Sequence, residues 1–250
     1  FESPRDKIIW DVGHQCYTHK ILTGRRDRFD SLRKDGGISG FPCPAESPHD
    51  VFTTGHAGAS ISSALGVAKG RDIRGENYKV VAVIGDGSLP NGMAMEAINQ
   101  AGQLKTDIMV VLNDNTMAIS KSVGAIASYL NRIMTGAFYE SMRERLRDFL
   151  LRFKRFGPTM ARVAKHMEEE VKSLVGPGIL FEELGFRYLG PFDGSDLLGL
   201  IGLFRQAKGM KGPRLVHVVT RKGRGYEPAE RDPVKYYSPS PFVVSTGEII

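Results

Sequence analysis

Two short polar turns follow two apolar runs of the sequence. The run VVAVI is followed by GDG, which contains Asp86, and the run MVVL is followed by NDN, which ends in Asn115. A carboxylate and an amide oxygen are hard-cation ligands, suited to Mg²⁺ or Ca²⁺, and Mg²⁺ usually completes its coordination with phosphate oxygens and water. The pair therefore predicts a metal-bound phosphate or diphosphate, for which Gly85, Gly87 and Ser88 provide space and backbone N–H donors.

The segments around these turns predict that Asp86 and Asn115 lie close together. YKVVAVIGDG and DIMVVLNDN have the pattern of buried strands, and NGMAMEAINQAGQLK between them has that of an amphipathic helix. In such a βαβ unit the parallel strands end at one edge of the sheet, where ligands bind. The 29 positions between the two residues fit one helix and one strand. Each turn alone is ordinary turn chemistry, but both together at this spacing are fairly specific.

The rest of the sequence also alternates between strand and helix patterns. It predicts a strand at 8–10, a helix of small residues at 57–69, two helices split at Gly157-Pro158, and a strand–helix–strand series from about 180 to 223. This alternation predicts an α/β fold with an open, mainly parallel sheet and helices on both faces. We expect one α/β domain at 1–226 with a helical insertion at about 129–175, and an extended linker or tail at 227–250.

Composition indicates a soluble globular protein. The 250 residues are 41% hydrophobic and 25% charged. No run of about 18 apolar residues predicts a membrane span, and the first residues do not form a signal peptide. Cys16 and Cys43 form no CxxC pair, so we expect neither a zinc site nor a disulfide scaffold, and the expected compartment is the reducing cytoplasm.

Much of the net charge of +6 comes from one segment. Residues 132–172 contain ten Lys or Arg and six Asp or Glu. A nucleic-acid patch is one interpretation. A solvated helical face is favoured because acidic residues are interleaved and no aromatic platform accompanies the charge. We expect no nucleic-acid or membrane partner, although the positive field can attract phosphorylated or carboxylate substrates.

Several longer motifs accompany the two turns. They are WDVGHQCYTHKILTGR, GISGFP, GHAGASISSALG, LFEELGFRYLGPFDG and TRKGRGYEPAERDP. GDG and NDN look like the diphosphate-binding motif of thiamine-diphosphate enzymes, and the longer motifs are similar to the 1-deoxy-D-xylulose-5-phosphate synthase family, which is transketolase-like. The similarity runs from about Lys7 to Pro233. It implies a thiamine-diphosphate-binding fold.

The resemblance implies roles for the matching residues. Asp86 and Asn115 bind Mg²⁺ together with the backbone carbonyl of Met117. His14 reaches the diphosphate or a reacting oxygen and is the candidate catalytic residue. The residues implied to contact the cofactor are His14, Gly55, His56, Ala57, Gly87, Ser88, Asn115 and Tyr226. The remaining histidines, interpreted as ordinary core or loop residues, are His19, His49, His166 and His217.

The resemblance also implies a reaction. Family members use thiamine diphosphate and Mg²⁺ to condense pyruvate with glyceraldehyde 3-phosphate, with loss of CO₂. The product serves isoprenoid-precursor and thiamine synthesis. The implied protein is a cytoplasmic transferase and a homodimer.

The sequence departs from the family pattern at three places. Ala57-Gly58-Ala59 replaces a Ser-Ser-Thr run, which removes hydroxyls near the cofactor. In the turn after GDG, Pro90 and Asn91 replace a threonine and a small residue, and we expect both on the outer side of the turn. Ser195 stands where family members usually carry histidine. None of these departures touches the metal pair, so we expect cofactor binding to survive.

The resemblance further implies that this chain holds half of a cofactor site. Family members carry an upstream segment with another active-site histidine. They also carry a second α/β domain with the glutamate that activates the aminopyrimidine ring and most of the substrate-phosphate pocket. Glu96, Glu182 and Glu183 lie in predicted helices and do not substitute for it. We expect a second domain or partner chain to complete the site, and the chain alone to bind Mg²⁺–thiamine diphosphate weakly without turnover.

Two alternatives stay open at this point. An N-terminal transketolase-type subunit shares the GDG and NDN motifs, although the matches at GRGYEPAE and WDVGHQ argue against it. A catalytically inactive binding or regulatory module is motivated by the basic segment and by the departures at 57–59. The retained pair of Asp86 and Asn115 argues against this second alternative.

Overall fold

The described part of the chain is built on one parallel sheet. The computed structural model describes residues 1–115, Ala125, Ser128, 178–237 and 239–250; the side chain of His14, Met117, the predicted insertion at 129–175 and the basic segment at 132–172 lie outside the described part of the chain. The strands of this sheet are β1 (Lys7–Trp10), β2 (Val80–Gly85), β3 (Met109–Asp114), β4 (Arg187–Asp193) and β5 (Arg214–Val219). Their order is β1-β2-β3-β5-β4, and all neighbours are parallel. The predicted parallel α/β sheet is confirmed.

Helices cover both faces of the sheet. In the described residues they are α1 (Tyr17–Lys20), α2 (Ser60–Arg74), α3 (Gly92–Gln103), α4 (Ile179–Glu183), α5 (Leu197–Gly209) and α6 (Glu227–Arg231). Small side chains of α2 and α3, such as Ala64 and Ala97, pack with Ala82 and Leu112 on one face. On the opposite face α5 packs against alternate strand residues such as Val216. The apolar run of β2 is buried on both sides because it serves both layers.

Element boundaries differ from the prediction where glycine changes the backbone direction. The helix expected from 57 begins at Ser60, because Gly58 has a φ of +86° that an α-helix does not contain. The strand expected up to 223 ends at Val219 and is followed by a loop in which Gly223 and Gly225 both have positive φ. The tail expected to be extended begins with α6, and its Phe242 pairs with Ile249 in an isolated antiparallel bridge. The proposed boundary at 226 stays a prediction.

Strand register brings the ends of three strands to one edge. Gly85 of β2 pairs with Asn113 of β3, and Trp10 of β1 pairs with Val83. The residues that follow these strands therefore emerge side by side at the carboxyl edge of the sheet. This edge is where parallel α/β sheets bind ligands.

A buried charged network connects the segment after β1 to the loop before α2. Both guanidinium nitrogens of Arg25 contact Asp50, at 2.5 and 2.9 Å, and His19 Nε2 lies 2.8 Å from Asp50 Oδ1. The backbone N–H of Cys43 also donates to Asp50, at 2.8 Å. A second pair joins the fully buried Lys20 to Glu46, with Nζ 2.7 Å from Oε2. These contacts fix the two segments relative to each other.

Replacement of Asp50 should test this network. Burial opposes ionisation of Asp50, but hydrogen bonds from His19 and Arg25 hold its pKa below the ordinary value of 3.8. We expect Asp50→Asn to lower the free energy of unfolding by about 3 kcal/mol at neutral pH, because it leaves a buried guanidinium without its main counter-charge. A depressed pKa stabilises the fold above the unfolded value, so the difference from wild type should shrink below about pH 4.

Urea unfolding at several pH values measures this effect. Asp35→Asn, at an exposed position, is the matched control and should change stability by less than about 0.5 kcal/mol. If Asp50→Asn were as stable as Asp35→Asn at neutral pH, the result would contradict a stabilising role for the buried network.

Candidate functional site

The two predicted metal ligands meet at the carboxyl edge of β2 and β3. The backbone N–H of Asn115 donates to Asp86 Oδ1 at 3.4 Å, and the N–H of Asp86 donates to the carbonyl of Asn113 at 3.3 Å. The predicted proximity of Asp86 and Asn115 is therefore present, and the contact runs through the main chain of Asn115. Their role as metal ligands stays a prediction.

The Asp86 carboxylate is held in an unfavourable environment for a negative charge. The residue is only 9% exposed. Burial, and next the charge of the neighbouring Asp114, raise the pKa of Asp86 from 3.8 to about 6, against the smaller lowering effect of nearby backbone N–H groups. A bound cation would offset both unfavourable effects, because it favours the ionised form. The donor chemistry of this position thus fits a divalent metal.

The first two residues of the NDN motif are turned towards β5. Asp114 Oδ2 lies 3.0 Å from His217 Nε2, and His217 Nδ1 lies 2.7 Å from the Tyr188 hydroxyl. The hydroxyl of Thr220 donates to Asn113 Oδ1 at 2.7 Å. His217, interpreted from sequence as an ordinary core histidine, is thus fully buried in a polar chain that ends beside Asp86.

The GDG turn is held in a tight conformation by backbone hydrogen bonds at the carboxyl edge of the sheet. The N–H groups of Ser88 and Leu89 both donate to the Gly85 carbonyl at 3.0 Å, and the buried Leu89 side chain anchors the turn. Gly87 is exposed and Ser88 is half-buried. The turn continues into the N-terminus of α3, where partial positive charge accumulates.

Gln15 connects the GHQ turn to the GDG turn. His14 and Gln15 belong to the 3-10 turn Gly13–Cys16, which follows β1. A Cβ on Gly85 would lie 2.8 Å from Gln15 Nε2, so the glycine lets this amide reach the backbone. The predicted catalytic residue is thereby on a segment that contacts the end of β2.

The GHAG loop is bound to the end of β1 by Asp11. The buried Asp11 carboxylate accepts the N–H groups of Gly58, at 2.9 and 3.0 Å, and of Ser60, at 3.1 Å. It therefore acts as the N-cap of α2, whose own cap residue makes no side-chain cap bond. The Thr54 hydroxyl also donates to the Trp10 carbonyl at 2.8 Å. Sequence reasoning missed Asp11, although an aspartate directly after a predicted strand was a usable signal.

The remaining predicted cofactor residues lie in the GHAG loop and directly before the tail. Gly55 and His56 are exposed, and His56 Nδ1 lies 2.8 Å from the carbonyl of Ala57. Tyr226 donates its hydroxyl to the Val244 carbonyl at 2.8 Å, and its ring packs against aromatic residues of the tail. The structure therefore joins Tyr226 to the tail through both its ring and its hydroxyl.

One expectation about the GDG turn is wrong. Asn91 does not lie on the outer side of the turn, because its amide nitrogen lies 3.4 Å from the carbonyl of Ala57. Asn91 is also the N-cap of α3 and accepts the Met93 N–H at 3.0 Å. Asn91 thus both caps α3 and contacts the GHAG loop.

Among the described residues, no three His, Cys, Asp or Glu side chains come together in a way that could hold a metal ion. The expected ligand set has one carboxylate, and its other oxygens come from an amide and a main-chain carbonyl. No described helix has the length and apolar character that crossing a membrane requires.

Comparisons with known proteins point to one family. A family model described as 1-deoxy-D-xylulose-5-phosphate synthase matches residues 1–220. Curated proteins with this name are 54% identical over 250 residues in Desulfitobacterium hafniense (strain DSM 10664 / DCB-2) and 51% identical over 248 residues in Carboxydothermus hydrogenoformans. The matches cover 100% and 99% of this chain and 40% of each relative. The chain thus spans 40% of the length of these relatives.

Solved structures with a similar fold are transketolases. The Campylobacter jejuni enzyme has a TM-score of 0.60 at 20% identity, over 91% of this chain and 31% of that one. The Leishmania mexicana enzyme has a TM-score of 0.57 at 21% identity, over 86% of this chain and 28% of that one. Likeness at this identity shows the fold alone.

Replacement of Asp86 should separate stability from binding. A carboxyl whose folded pKa lies above its unfolded value destabilises the fold when ionised, and this penalty disappears as the pH falls through about 6. We expect Asp86→Asn, which keeps an oxygen acceptor for the Asn115 N–H, to raise the free energy of unfolding by on the order of 2 kcal/mol at neutral pH without metal. The gain should be close to zero at about pH 4.

The measurement is urea unfolding in the presence of a chelator, across this pH range. Asp30→Asn, at an exposed position, is the control and should show no pH-dependent gain. A loss of stability in Asp86→Asn at neutral pH would show that the carboxylate is stabilised by its surroundings.

Proposed function

The chain belongs to the 1-deoxy-D-xylulose-5-phosphate synthase family, and from this premise we propose that it forms the Mg²⁺- and diphosphate-binding part of a thiamine-diphosphate-dependent transferase. The observation that carries the proposal is the buried Asp86 carboxylate beside Asn115, at the carboxyl edge of two parallel strands. Because the chain spans 40% of its relatives' length, the activity of the whole protein belongs to the proposal.

The metal half of the proposed site lies on the β2 and β3 ends. Asp86 and Asn115 would provide side-chain oxygens for Mg²⁺, and the carbonyl of Met117, outside the described residues, would provide a third. Gly87 and Ser88 would face the diphosphate, since glycine leaves room and the turn precedes the N-terminus of α3. The raised pKa of Asp86 supports this arrangement, because a cation offsets the cost of its buried charge.

The other half of the proposed cofactor contact comes from the segments after β1 and before α2. Gly55, His56 and Ala57 would line the cofactor near its thiazolium ring, and His14 would contact the diphosphate or a reacting oxygen. Tyr226 would also touch the cofactor region.

The proposed reaction joins pyruvate to glyceraldehyde 3-phosphate with loss of CO₂, for isoprenoid-precursor and thiamine synthesis. Thiamine diphosphate supplies the carbon nucleophile when bound. The residues of this chain would bind the cofactor, orient it and move protons through His14. A second domain or a partner chain would supply the activating glutamate and most of the substrate-phosphate pocket. We propose that the complete enzyme is a cytoplasmic homodimer and that its cofactor-binding domain ends near 226.

The transketolase alternative is weaker on the same grounds. Identity is 51–54% to the synthase relatives named above and 20–21% to the transketolases, over most of the chain in both cases. The alternative of an inactive module relies on the basic segment, which lies outside the described residues, and on the departures at 57–59, which do not touch Asp86 or Asn115.

Calorimetric titration of the 250-residue chain with thiamine diphosphate, with and without Mg²⁺, tests the proposal. We expect weak binding that requires Mg²⁺, and a loss of at least about tenfold in affinity in Asp86→Asn, because charge-assisted metal contacts are the strong ones. Asp30→Asn should bind as wild type does. With pyruvate and glyceraldehyde 3-phosphate added, the chain alone should form no product.

Metal-independent binding, or equal affinity in Asp86→Asn, would overturn the assignment of the metal site. Robust product from the chain alone would show that the site is already complete.

A further inference from the structure

A single side chain joins the two loops that the proposed function assigns to opposite ends of the cofactor. Asn91 ends the GDG turn, and its N–H donates to the Ser88 carbonyl at 3.1 Å. Its amide Nδ2 lies 3.4 Å from the carbonyl of Ala57 in the GHAG loop. The two residues are 34 positions apart in the sequence, and neither is a predicted metal ligand.

The orientation of this amide is fixed by its two partners. Oδ1 accepts the N–H of Met93 at the start of α3, which leaves Nδ2 to donate to Ala57. A second hydrogen bond runs from the Ser62 hydroxyl of α2 to the Met93 carbonyl of α3, at 3.3 Å. The N-termini of α2 and α3 are therefore linked at the place where the two loops end.

Close steric contact between Gly58 and Asn91 also limits how near the two loops can approach. A Cβ at Gly58 would lie 2.5 Å from Asn91 Cγ and 2.6 Å from Asn91 Cβ, distances that real Cβ atoms do not show. Gly58 also has a φ of +86°, which disfavours other residues there. Asn91 thus occupies the volume that a side chain at 58 would need.

We infer that Asn91 is a positioning residue that sets the distance between the GHAG loop and the GDG turn, and so selects ligands that span both. The inference rests on the proposed function, because it assigns the cofactor's diphosphate to the turn and its ring end to the loop. A groove whose width is fixed before binding loses less conformational entropy when a ligand enters. Asn91 acts through the two loops and does not itself contact the reacting atoms.

Two ligands of different length separate positioning from general damage. Inorganic pyrophosphate with Mg²⁺ reaches the turn alone, whereas thiamine diphosphate with Mg²⁺ reaches the turn and the loop. Asn91→Ser keeps an N-cap oxygen for Met93 but removes the donor to Ala57. We expect it to weaken thiamine diphosphate binding about three- to tenfold, the net worth of such a contact, and to leave pyrophosphate affinity unchanged. Asn77→Ser, at an exposed position before β2, is the matched control and should alter neither affinity.

A double-mutant cycle tests the steric half of the inference. Gly58→Ala should weaken thiamine diphosphate binding in the wild-type background, where its Cβ meets Asn91. In the Asn91→Gly background the same substitution should have an effect at least about fivefold smaller, because the obstructing side chain is gone. The strain of alanine at positive φ is present in both backgrounds and cancels.

Each result has a defined meaning. Selective loss of thiamine diphosphate affinity in Asn91→Ser, together with non-additive cycle effects, supports the inference. Equal loss for both ligands, no loss for either, or additive cycle effects overturns the inference while the proposed function stands. A wild-type chain that binds neither ligand overturns the proposed function, and the inference with it.

Discussion

The parallel register of β2 and β3 brings Asp86 and Asn115, the two described metal-ligand candidates, to the same place. Because Gly85 pairs with Asn113, both strands end together, and Asp86 meets Asn115 without any specialised loop. The same register directs Asn113 and Asp114 towards Thr220 and His217 on β5. Each residue of the NDN motif therefore has a different neighbour. The cofactor assignment depends on this edge, and the rest of the described fold holds the edge in position.

Three buried carboxylates near this edge show how differently the protein accommodates negative charge. Asp11 accepts backbone N–H groups at the start of α2, and Asp50 is paired with Arg25 and His19. Both arrangements satisfy the charge within the protein and connect segments of the fold. Asp86 instead accepts a long hydrogen bond from the backbone N–H of Asn115, and its burial, followed by the charge of Asp114, raises its pKa. The first two carboxylates stabilise structure, whereas at the third a cation would offset the cost of the buried charge.

The sequence was sufficient to predict the parallel α/β sheet and the meeting of Asp86 with Asn115, because apolar strands and polar turns follow local patterns. It did not predict the cap that Asp11 forms on α2, or the polar chain through His217. Those contacts join residues 47 and 103 positions apart, and neither periodicity nor turn chemistry encodes such distances. The misplaced start of α2 has a similar origin, since helix propensity at 57–59 was overridden by the positive φ of Gly58.

The departures from the family pattern have local physical explanations that leave the metal edge intact. Gly58 lacks the side chain that the family pattern has at that position, and Asn91 is larger than the small residue of the pattern. The two positions are in contact, so the side chain of Asn91 fills the space that a side chain at 58 would need. Ser195 is bound within its own turn, where its N–H and hydroxyl both donate to Asp193 Oδ1 at 2.8 and 2.7 Å. The contacts at positions 58, 91 and 195 leave the contact between Asp86 and Asn115 in place.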